Sequence, residues 1–262
     1  MHVTAPINYL LHLADNALVL GQRNAEWCGH GPILEEDIAM SNISLDLLGQ
    51  ARLLYQHVAT LQNDGSTEDR LAYFRDAAEF LNYTLVELPH HGPLVGYAVD
   101  NRDYATTIVR NFLYSALMAL VWEQLQHAQD AQLAAIASKS LKEVRYHLRH
   151  SRDWLIRMGD GTEVSHRKAQ DALDHLMPYT QEFWRLSDFE AQALQTGCGV
   201  DLAALSTHWT TLLEETTTQA QLKLPSDAGF VTTGKLGVHS EHLSFLLAEM
   251  QSLARAHPQG VW

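Results

Sequence analysis

A long stripe of apolar and small residues, spaced three and four apart, constrains the fold of this chain more than any other feature. The stripe consists of Leu133, Ala137, Ser140, Val144, Leu148, Ser151, Leu155 and Met158. Steps of three and four place such residues on one side of an α-helix, so the segment predicts an amphipathic helix over about residues 130–158. Gly159-Asp160-Gly161 ends the pattern, and Thr162 is a suitable N-cap for the helix that follows.

Similar periodicity predicts helices along most of the chain. The other helix-patterned segments are residues 7–25, 33–62, 69–88, 103–127, 163–185, 202–224 and 240–256. Short stretches with glycine, proline or small polar residues separate them, as turns require. No stretch shows the sustained alternation of a β-strand. Long helices with short connections predict an all-α fold, an antiparallel helix bundle with additional C-terminal helices packed on its outside.

Length and composition predict a single globular domain over residues 1–262. A chain of 262 residues, 46% of them apolar, can bury a substantial core. The formal net charge of -13 argues against nucleic acid or an anionic membrane as the main partner. We find neither an apolar run near membrane-span length nor a signal-peptide pattern. The two cysteines, Cys28 and Cys198, have no metal-like spacing, and we expect a cytoplasmic protein.

The helical pattern raises the question of a buried metal centre. A two-metal helix bundle needs a carboxylate from each of two helices and a Glu-x-x-His pair from each of two others. The spacing of three puts carboxylate and imidazole on one side of a helix, one turn apart. In the middle of the 33–62 segment, the positions for such a pair are Leu47 and Gln50. Leucine has no donor atom and a neutral amide is a weak ligand, so this segment cannot supply the pair.

The 130–158 helix offers a histidine without its acid. His147 lies on the apolar stripe, and the residue three positions before it is Val144. Glu143 is next to Val144 in sequence, but we expect it to project toward solvent near Lys139. We therefore interpret four residues as a metal face without its ligands, and we expect neither a metal site nor a catalytic residue here. These metal-face positions are Leu47, Gln50, Val144 and His147.

A structural role is also open to His147. Asn42, Asp46 and Gln50 recur at steps of four along the 33–62 helix. Asp46 can accept a hydrogen bond from His147 or from an arginine inside the bundle. Because unpaired buried polar groups are costly, we predict a buried polar network of Asn42, Asp46 and His147.

An alternative interpretation is a metalloenzyme in its own right, with an atypical site. Its candidate ligands are His147, Asp46 and Glu123, or else His239 and His242. Near the second pair, Ser240 as an N-cap and Glu241 in the first turn of the last helix give the segment a structural explanation. A third interpretation is a plain interaction scaffold unrelated to such metal-bundle enzymes.

Residues 229–236 nearly match a phosphate-binding loop. The match fails at its last position, where Leu236 replaces the Ser or Thr that binds magnesium. No strand pattern precedes the segment, so we reject a nucleotide site there.

Several segments together are similar to one family. They are residues 18–32 (LVLGQRNAEWCGHGP), 36–52, 142–151, 153–155, 159–162, 233–243 (TGKLGVHSEHL) and 248–251. The chain resembles, over nearly its whole length, the C-type subunits of bacterial phenylacetyl-CoA epoxidase. These subunits are part of the multicomponent ring monooxygenase of aerobic phenylacetate breakdown.

The resemblance implies a ferritin-like, all-helical fold. It also implies a complex that converts phenylacetyl-CoA to its ring 1,2-epoxide with molecular oxygen and NADPH. A related A-type chain carries the di-iron centre, and a reductase with flavin and an iron–sulfur cluster supplies electrons. The C-type chain is the non-catalytic relative that pairs with the A-type chain and supports it. By this resemblance we expect no cofactor in this chain and partners among the other oxygenase subunits.

The pattern of the catalytic relatives can be placed on this sequence. An Asp-Glu-x-x-His stretch would fall on residues 46–50, and a Glu-x-x-His pair on residues 144–147, where His147 alone matches a ligand. The connection between Pro89 and Tyr104 is longer than the family pattern implies. This departure puts in question the partner surface and the acyl-CoA preference of the complex.

Overall fold

The computed structural model describes residues 3–92, 102–225 and 230–260. Within these ranges the chain forms ten α-helices and no strand, apart from an isolated bridge between Thr233 and Val238. The helices are α1 (Ile7–Ala25), α2 (Leu34–Gln62), α3 (Glu68–Tyr73), α4 (Thr84–Glu87), α5 (Tyr104–Leu125), α6 (Ala131–Gly159), α7 (Glu163–Leu176), α8 (Asp188–Gln195), α9 (Leu202–Gln219) and α10 (Glu241–Ala256). The prediction of an all-α fold is confirmed.

Four long helices form the bundle. α1 packs against α2, α5 packs against α6, and α2 also contacts α6. α7 and α9 lie against α5 and α6, whereas α10 contacts α1, α3 and α4. The arrangement is the predicted ferritin-like antiparallel bundle with additional C-terminal helices. Its assignment to a single domain over residues 1–262 stays a prediction.

Helix α6 follows the stripe from which it was predicted. Its buried residues include Leu133, Val144 and Leu155. Asp130 caps its start by accepting hydrogen bonds from the backbone N–H groups of the second and third helical residues. Thr162 caps α7, as the sequence indicates. Local capping signals therefore mark the start of α6 and the start of the helix that follows it.

The prediction of one helix over residues 69–88 is wrong. α3 ends at Tyr73, and α4 begins only at Thr84. Polar side chains of α1 bind the backbone of the intervening chain: Asp15 accepts from the N–H of Leu81 at 2.8 Å. Asn16 accepts from the N–H of Tyr83 at 2.9 Å. Because tertiary hydrogen bonds satisfy these backbone groups, the chain leaves the helical conformation there.

Three other expectations change at element boundaries. The helix predicted over 163–185 ends at Leu176 and continues as a 3₁₀ segment, Met177–Trp184, with a proline at its start. α8 was not predicted, and α9 stops at Gln219 rather than at residue 224. In the connection between Pro89 and Tyr104, residues 93–101 lie outside the described residues, as does Gly229 of the 229–236 segment.

Helix α5 is long and apolar enough to span a membrane by length and composition alone. The expectation that no apolar run approaches that length is therefore wrong for this helix. However, 89% of its most apolar stretch is buried inside the fold, which is the situation of a core helix.

Two glycines in long helices differ in their surroundings, so we expect their replacement by alanine to change stability in opposite directions. A Cβ at Gly159 would lie well inside van der Waals contact of the Ala220 carbonyl oxygen. A Cβ at Gly49 would have none of the described atoms within 4 Å, apart from its chain neighbours and the backbone of its own helix. We expect Gly159→Ala to destabilise the protein by about 1–3 kcal/mol through overpacking. Gly49→Ala should stabilise it by about 0.5–1 kcal/mol through helix propensity. Urea unfolding followed by circular dichroism measures both, and equal shifts in one direction would contradict the packing at Gly159.

Candidate functional site

The centre of the bundle is closed by apolar side chains at two of the metal-face positions. Leu47 on α2 and Val144 on α6 are each 1% exposed. Gly21 on α1 lies against Leu47 so closely that a Cβ on this glycine would be 3.2 Å from the Cβ of Leu47. Tight packing therefore occupies the place where two carboxylate ligands would project.

The two polar metal-face positions are engaged at the contact between α2 and α6. Gln50 donates from Nε2 to Glu143 at 3.0 Å. His147, which is 2% exposed, donates from Nε2 to Asp46 at 3.0 Å. The prediction that Glu143 points to solvent is wrong, because its carboxylate is half-buried and faces Gln50 as well as Lys139.

These bonds belong to a ladder of polar pairs that joins α2 to the α6 segment. Each rung is 2.8 to 3.0 Å long, and the rungs are Glu36–His150, Asp46–His147, Gln50–Glu143 and His57–Asp130. Residue numbers rise along α2 while they fall along α6, so the ladder fixes the antiparallel register of the two helices. Tyr104 on α5 adds a 2.6 Å hydrogen bond to Glu36 and links a third helix to it.

Asn42 does not belong to a buried network, and this part of the prediction is wrong. Its side chain is exposed, Asp46 is partly exposed, and Gln50 is buried. A step of four residues advances an α-helix by about 40° beyond one full turn. The row of polar residues therefore rotates from solvent into the bundle along α2. The Asp46–His147 bond lies at the edge of the core.

The first alternative metal site does not assemble. Asp46 and His147 are hydrogen-bonded, but Glu123 lies on the surface of α5, where it pairs with Arg145 at 3.0 Å. A histidine that donates to a single carboxylate forms a structural pair and not a ligand set, since a zinc-like site needs at least three protein ligands.

The second alternative site has a histidine with both ring nitrogens engaged. His239 lies 2.7 Å from Glu87 through Nδ1 and 2.8 Å from the carbonyl oxygen of Phe80 through Nε2. Both partners are acceptors, so both nitrogens must carry protons and the ring must be an imidazolium. Burial alone favours the neutral ring, but the hydrogen bond and the charge of Glu87 raise the pKa of His239. An imidazolium has no free lone pair for a metal ion.

His242 faces other groups. Its ring centroid lies 6.2 Å from that of His91. Burial, followed by repulsion from Arg23, lowers the pKa of His242. Among residues 3–92, 102–225 and 230–260, no group of three or more His, Cys, Asp or Glu side chains has the geometry to hold a metal ion. The donor set does not fit a di-iron centre, and the absence of a metal from the protein stays a prediction.

Sequence reasoning missed a reciprocal amide pair that crosses the bundle. Asn24 on α1 and Asn111 on α5 exchange hydrogen bonds of 2.8 and 3.0 Å, and both side chains are buried. A signal was available for Asn111, a polar residue next to the apolar run that begins at Phe112, but Asn24 lies among the polar residues Gln22, Arg23 and Glu26. The pairing itself could not be predicted, because the two residues are 87 positions apart in the chain.

A buried arginine was missed as well. Arg110 donates to the carbonyl oxygens of Leu88 and Pro89 and lies 2.9 Å from Nδ1 of His90. Burial, with repulsion from Arg23, lowers the pKa of Arg110 to about 9, so it remains charged at neutral pH. Burial, followed by repulsion from the charge of Arg110, lowers the pKa of His90 well below its usual value. The group anchors the chain after α4 and leaves His90 neutral.

Buried carboxylates bind Lys235, which lies in the segment that nearly matches a phosphate loop, and Ser240 just after it. Lys235 is buried and lies 2.9 Å from Glu190, and its backbone N–H donates to Glu182 at 2.7 Å. Glu87 accepts from the N–H of Ser240 at 2.7 Å. Lys235 is therefore a structural ion-pair partner. The three carboxylates that anchor this segment come from distant parts of the chain that sequence patterns do not connect.

The charged His239 predicts a pH dependence of stability. Its pKa is raised in the folded protein, so its contribution is fully present below about pH 6.5 and is lost as pH rises through the folded-state value. We expect the loss of stability caused by His239→Gln to be largest below about pH 6.5 and to shrink as pH rises through the folded-state pKa. Urea unfolding of both proteins across this range measures the difference. The exposed His208 provides the control His208→Gln, and a cost for His239→Gln that grows with pH would contradict the assignment.

Comparison with known proteins agrees with the resemblance drawn from the sequence. A family model described as "Phenylacetic acid catabolic protein" matches residues 1–262. A protein of Escherichia coli (strain K12), named as the C-type subunit of 1,2-phenylacetyl-CoA epoxidase, is 42% identical over 254 residues. That match covers 97% of this chain and 98% of the E. coli protein. The chain therefore belongs to the phenylacetic acid catabolic protein family.

Proposed function

We propose that this chain is a non-catalytic structural subunit of a phenylacetyl-CoA epoxidase complex in aerobic phenylacetate catabolism. It pairs there with a related di-iron chain. The name of its E. coli relative supports the complex. The observation that carries the non-catalytic role is the closed bundle centre, where Leu47 packs on Gly21 and Val144 is fully buried. Aliphatic side chains have no donor atom with which to coordinate a metal ion.

The closed centre also provides a physical means of supporting the partner. A bundle whose core is filled and whose α2–α6 register is fixed by the polar ladder presents an outer surface of constant shape. Binding such a rigid body to the folded catalytic chain, and not to its unfolded form, stabilises that chain by mass action. In this proposal the di-iron centre lies in the partner, flavin and an iron–sulfur cluster lie in the reductase, and the complex is cytoplasmic.

Co-expression with the related di-iron chain tests the pairing. We expect the two chains to co-purify. The catalytic chain should gain about 2.7 kcal/mol of stability when this chain is present at a concentration a hundred times the Kd of the complex. Thermal unfolding and epoxidation of phenylacetyl-CoA are measured with and without it. A catalytic chain that is equally stable and equally active alone would show that the supporting role is wrong.

Metal analysis of the isolated chain separates this function from that of a metalloenzyme. We expect no stoichiometric iron or manganese in the protein purified from metal-supplemented cells, because the metal-face positions lack carboxylates. His147→Ala should lower stability by about 1–3 kcal/mol, since Asp46 loses its partner, without changing the metal content. His208→Ala serves as the exposed control. Two metal ions per chain that disappear with His147→Ala would favour the metalloenzyme.

A further inference from the structure

A small buried contact holds helix α10 on the protein. Of its 16 residues only Leu243, Leu246, Leu247 and Gln251 are buried. The helix lies against α1, α3 and α4. Helices with few buried side chains open at a lower free energy than the core of the same protein. The polar contacts at the start of α10 therefore have a large influence on whether the helix stays docked.

The first of two histidines at this start is charged. Both ring nitrogens of His239 face acceptors, the carboxylate of Glu87 and the carbonyl oxygen of Phe80. Glu87, whose side chain is fully buried, also accepts at 2.7 Å from the backbone N–H of Ser240, the N-cap of α10. The imidazolium of His239 is therefore the counter-charge of a buried carboxylate that binds the backbone where α10 begins.

The second histidine, three residues further on, faces positive groups. The ring of His242 lies 6.2 Å from that of His91. Arg23, which also pairs with Glu26, donates to the carbonyl oxygen of His242 at 3.4 Å. His175 on α7 is near enough to both rings to be repelled by them when they are charged. We call His91, His175 and His242 the histidine cluster.

The histidine cluster has no counter-ion among the described residues. The histidines that form ion pairs in this part of the chain are His57, His90, His147, His150 and His239, and no member of the cluster is among them. Nδ1 of His91 is buried and has no hydrogen-bond partner within the described ranges. A charged ring would place an N–H without an acceptor inside the fold there. The geometry therefore favours neutral rings in the cluster.

Burial and the neighbouring charges act in the same direction. Burial, followed by repulsion from Arg23, lowers the pKa of His242, although the carboxylates of Glu241 and Glu87 oppose this. Burial, followed by repulsion from His91 and His242, lowers the pKa of His175. Two histidines three residues apart thus favour opposite charge states when α10 is docked.

We propose that His239 and His242 form a pH-sensitive latch, which holds α10 most tightly when the first ring is charged and the second is neutral. The chain before the latch is anchored separately, since Lys235 is buried and lies 2.9 Å from Glu190. The part that opens therefore begins after this anchor and includes α10. The latch is a property of this chain alone and does not depend on its partner.

The two rings lose their stabilising states at opposite ends of the pH range. In the open segment both have the ordinary imidazole pKa of about 6.5. Docking raises the pKa of His239, so its contribution is complete below about pH 6.5 and is lost as pH rises through the docked value. Docking lowers the pKa of His242, so docking weakens as pH falls from about 6.5 toward the docked value. Together these rings hold α10 most tightly near pH ~6.5, whatever the size of either shift.

One further carboxylate faces His239. The charge of Glu182 acts to raise the pKa of His239, and burial raises the pKa of Glu182 itself. Glu182 binds Thr232 and the backbone N–H of Lys235, which belong to the anchored part of the chain. Its contribution cancels when the wild type and a variant are compared at one pH.

Hydrogen exchange of the full-length chain, followed by mass spectrometry, measures the opening of α10. The wild type and each variant are compared at the same pH, so the intrinsic exchange rate cancels. We expect His242→Gln to protect the amides of α10 about threefold to tenfold more than the wild type does at about pH 5, because glutamine does not take up a proton, and equally at about pH 8. This variant is the more stable protein in acid, so the test does not depend on a protein that fails to fold.

His239→Gln should act in the opposite direction. We expect its α10 amides to be about tenfold less protected than those of the wild type at about pH 5, because Glu87 loses its counter-charge, and the difference to shrink toward about pH 8. His257→Gln changes an exposed histidine just after the same helix and should leave protection unchanged at both values. Circular dichroism verifies folding of each variant. The wild-type profile tests the same ring without a substitution, since protection should decline from about pH 6.5 to about pH 8.

The outcomes decide whether the latch exists. A gain in protection for His242→Gln and a loss for His239→Gln, both at about pH 5, support it. A His242→Gln protein that gains no protection in acid would overturn it, as would a His239→Gln loss that grows with pH. If the amides of α10 in the wild type exchange as slowly as those of α5, the helix opens only with the whole fold, and the latch is again wrong.

Discussion

Close packing between α1 and α2 at Gly21 and Leu47 sets the centre of this bundle. A Cβ on Gly21 would already lie 3.2 Å from the Cβ of Leu47, so the two helices are in close contact at this glycine. Val144 completes the closure from α6. Because the centre is filled, the polar residues of α2 and α6 meet at the edge of the core, where they form the ladder that sets the register of the two helices. Aliphatic packing at the centre and polar pairs at its edge together hold the four long helices against one another.

Polar side chains inside the fold direct the irregular parts of the chain. Asp15 and Asn16 on α1 accept hydrogen bonds from the backbone after α3 and so replace a helix that the sequence pattern predicts. Asp15 also holds Arg75 and Tyr55 in a buried group. The C-terminal segment is fixed in the same way, through Lys235 and the carboxylates that surround it. Such pairs are costly to break one partner at a time, which makes the positions of these connections specific.

Helix α2 takes part both in the closed centre and in the contact with α6. It supplies Leu47 to the centre and Gln50 to the ladder, and the packing at Gly21 holds it on the side of α1. In the proposed complex, a catalytic chain would bind a bundle whose helices are already fixed against one another. Support of that chain would then require no chemistry from this one.

The sequence by itself determined the helical class, the ends of α1 and α6, and the absence of ligands at Leu47, Gln50 and Val144, because periodicity, capping residues and donor atoms are local properties. It also identified Asp46 as a possible partner of His147. Only the tertiary structure decided that Asn42 is exposed, that Glu143 turns toward Gln50, and that His239 carries a positive charge between Glu87 and the Phe80 carbonyl. The tertiary structure also decided that no single helix spans residues 69–88 and that Asn24 pairs with Asn111. Each depends on groups far apart in the chain or on separate helices, and a sequence pattern carries no information about which distant groups the packing brings within hydrogen-bonding distance.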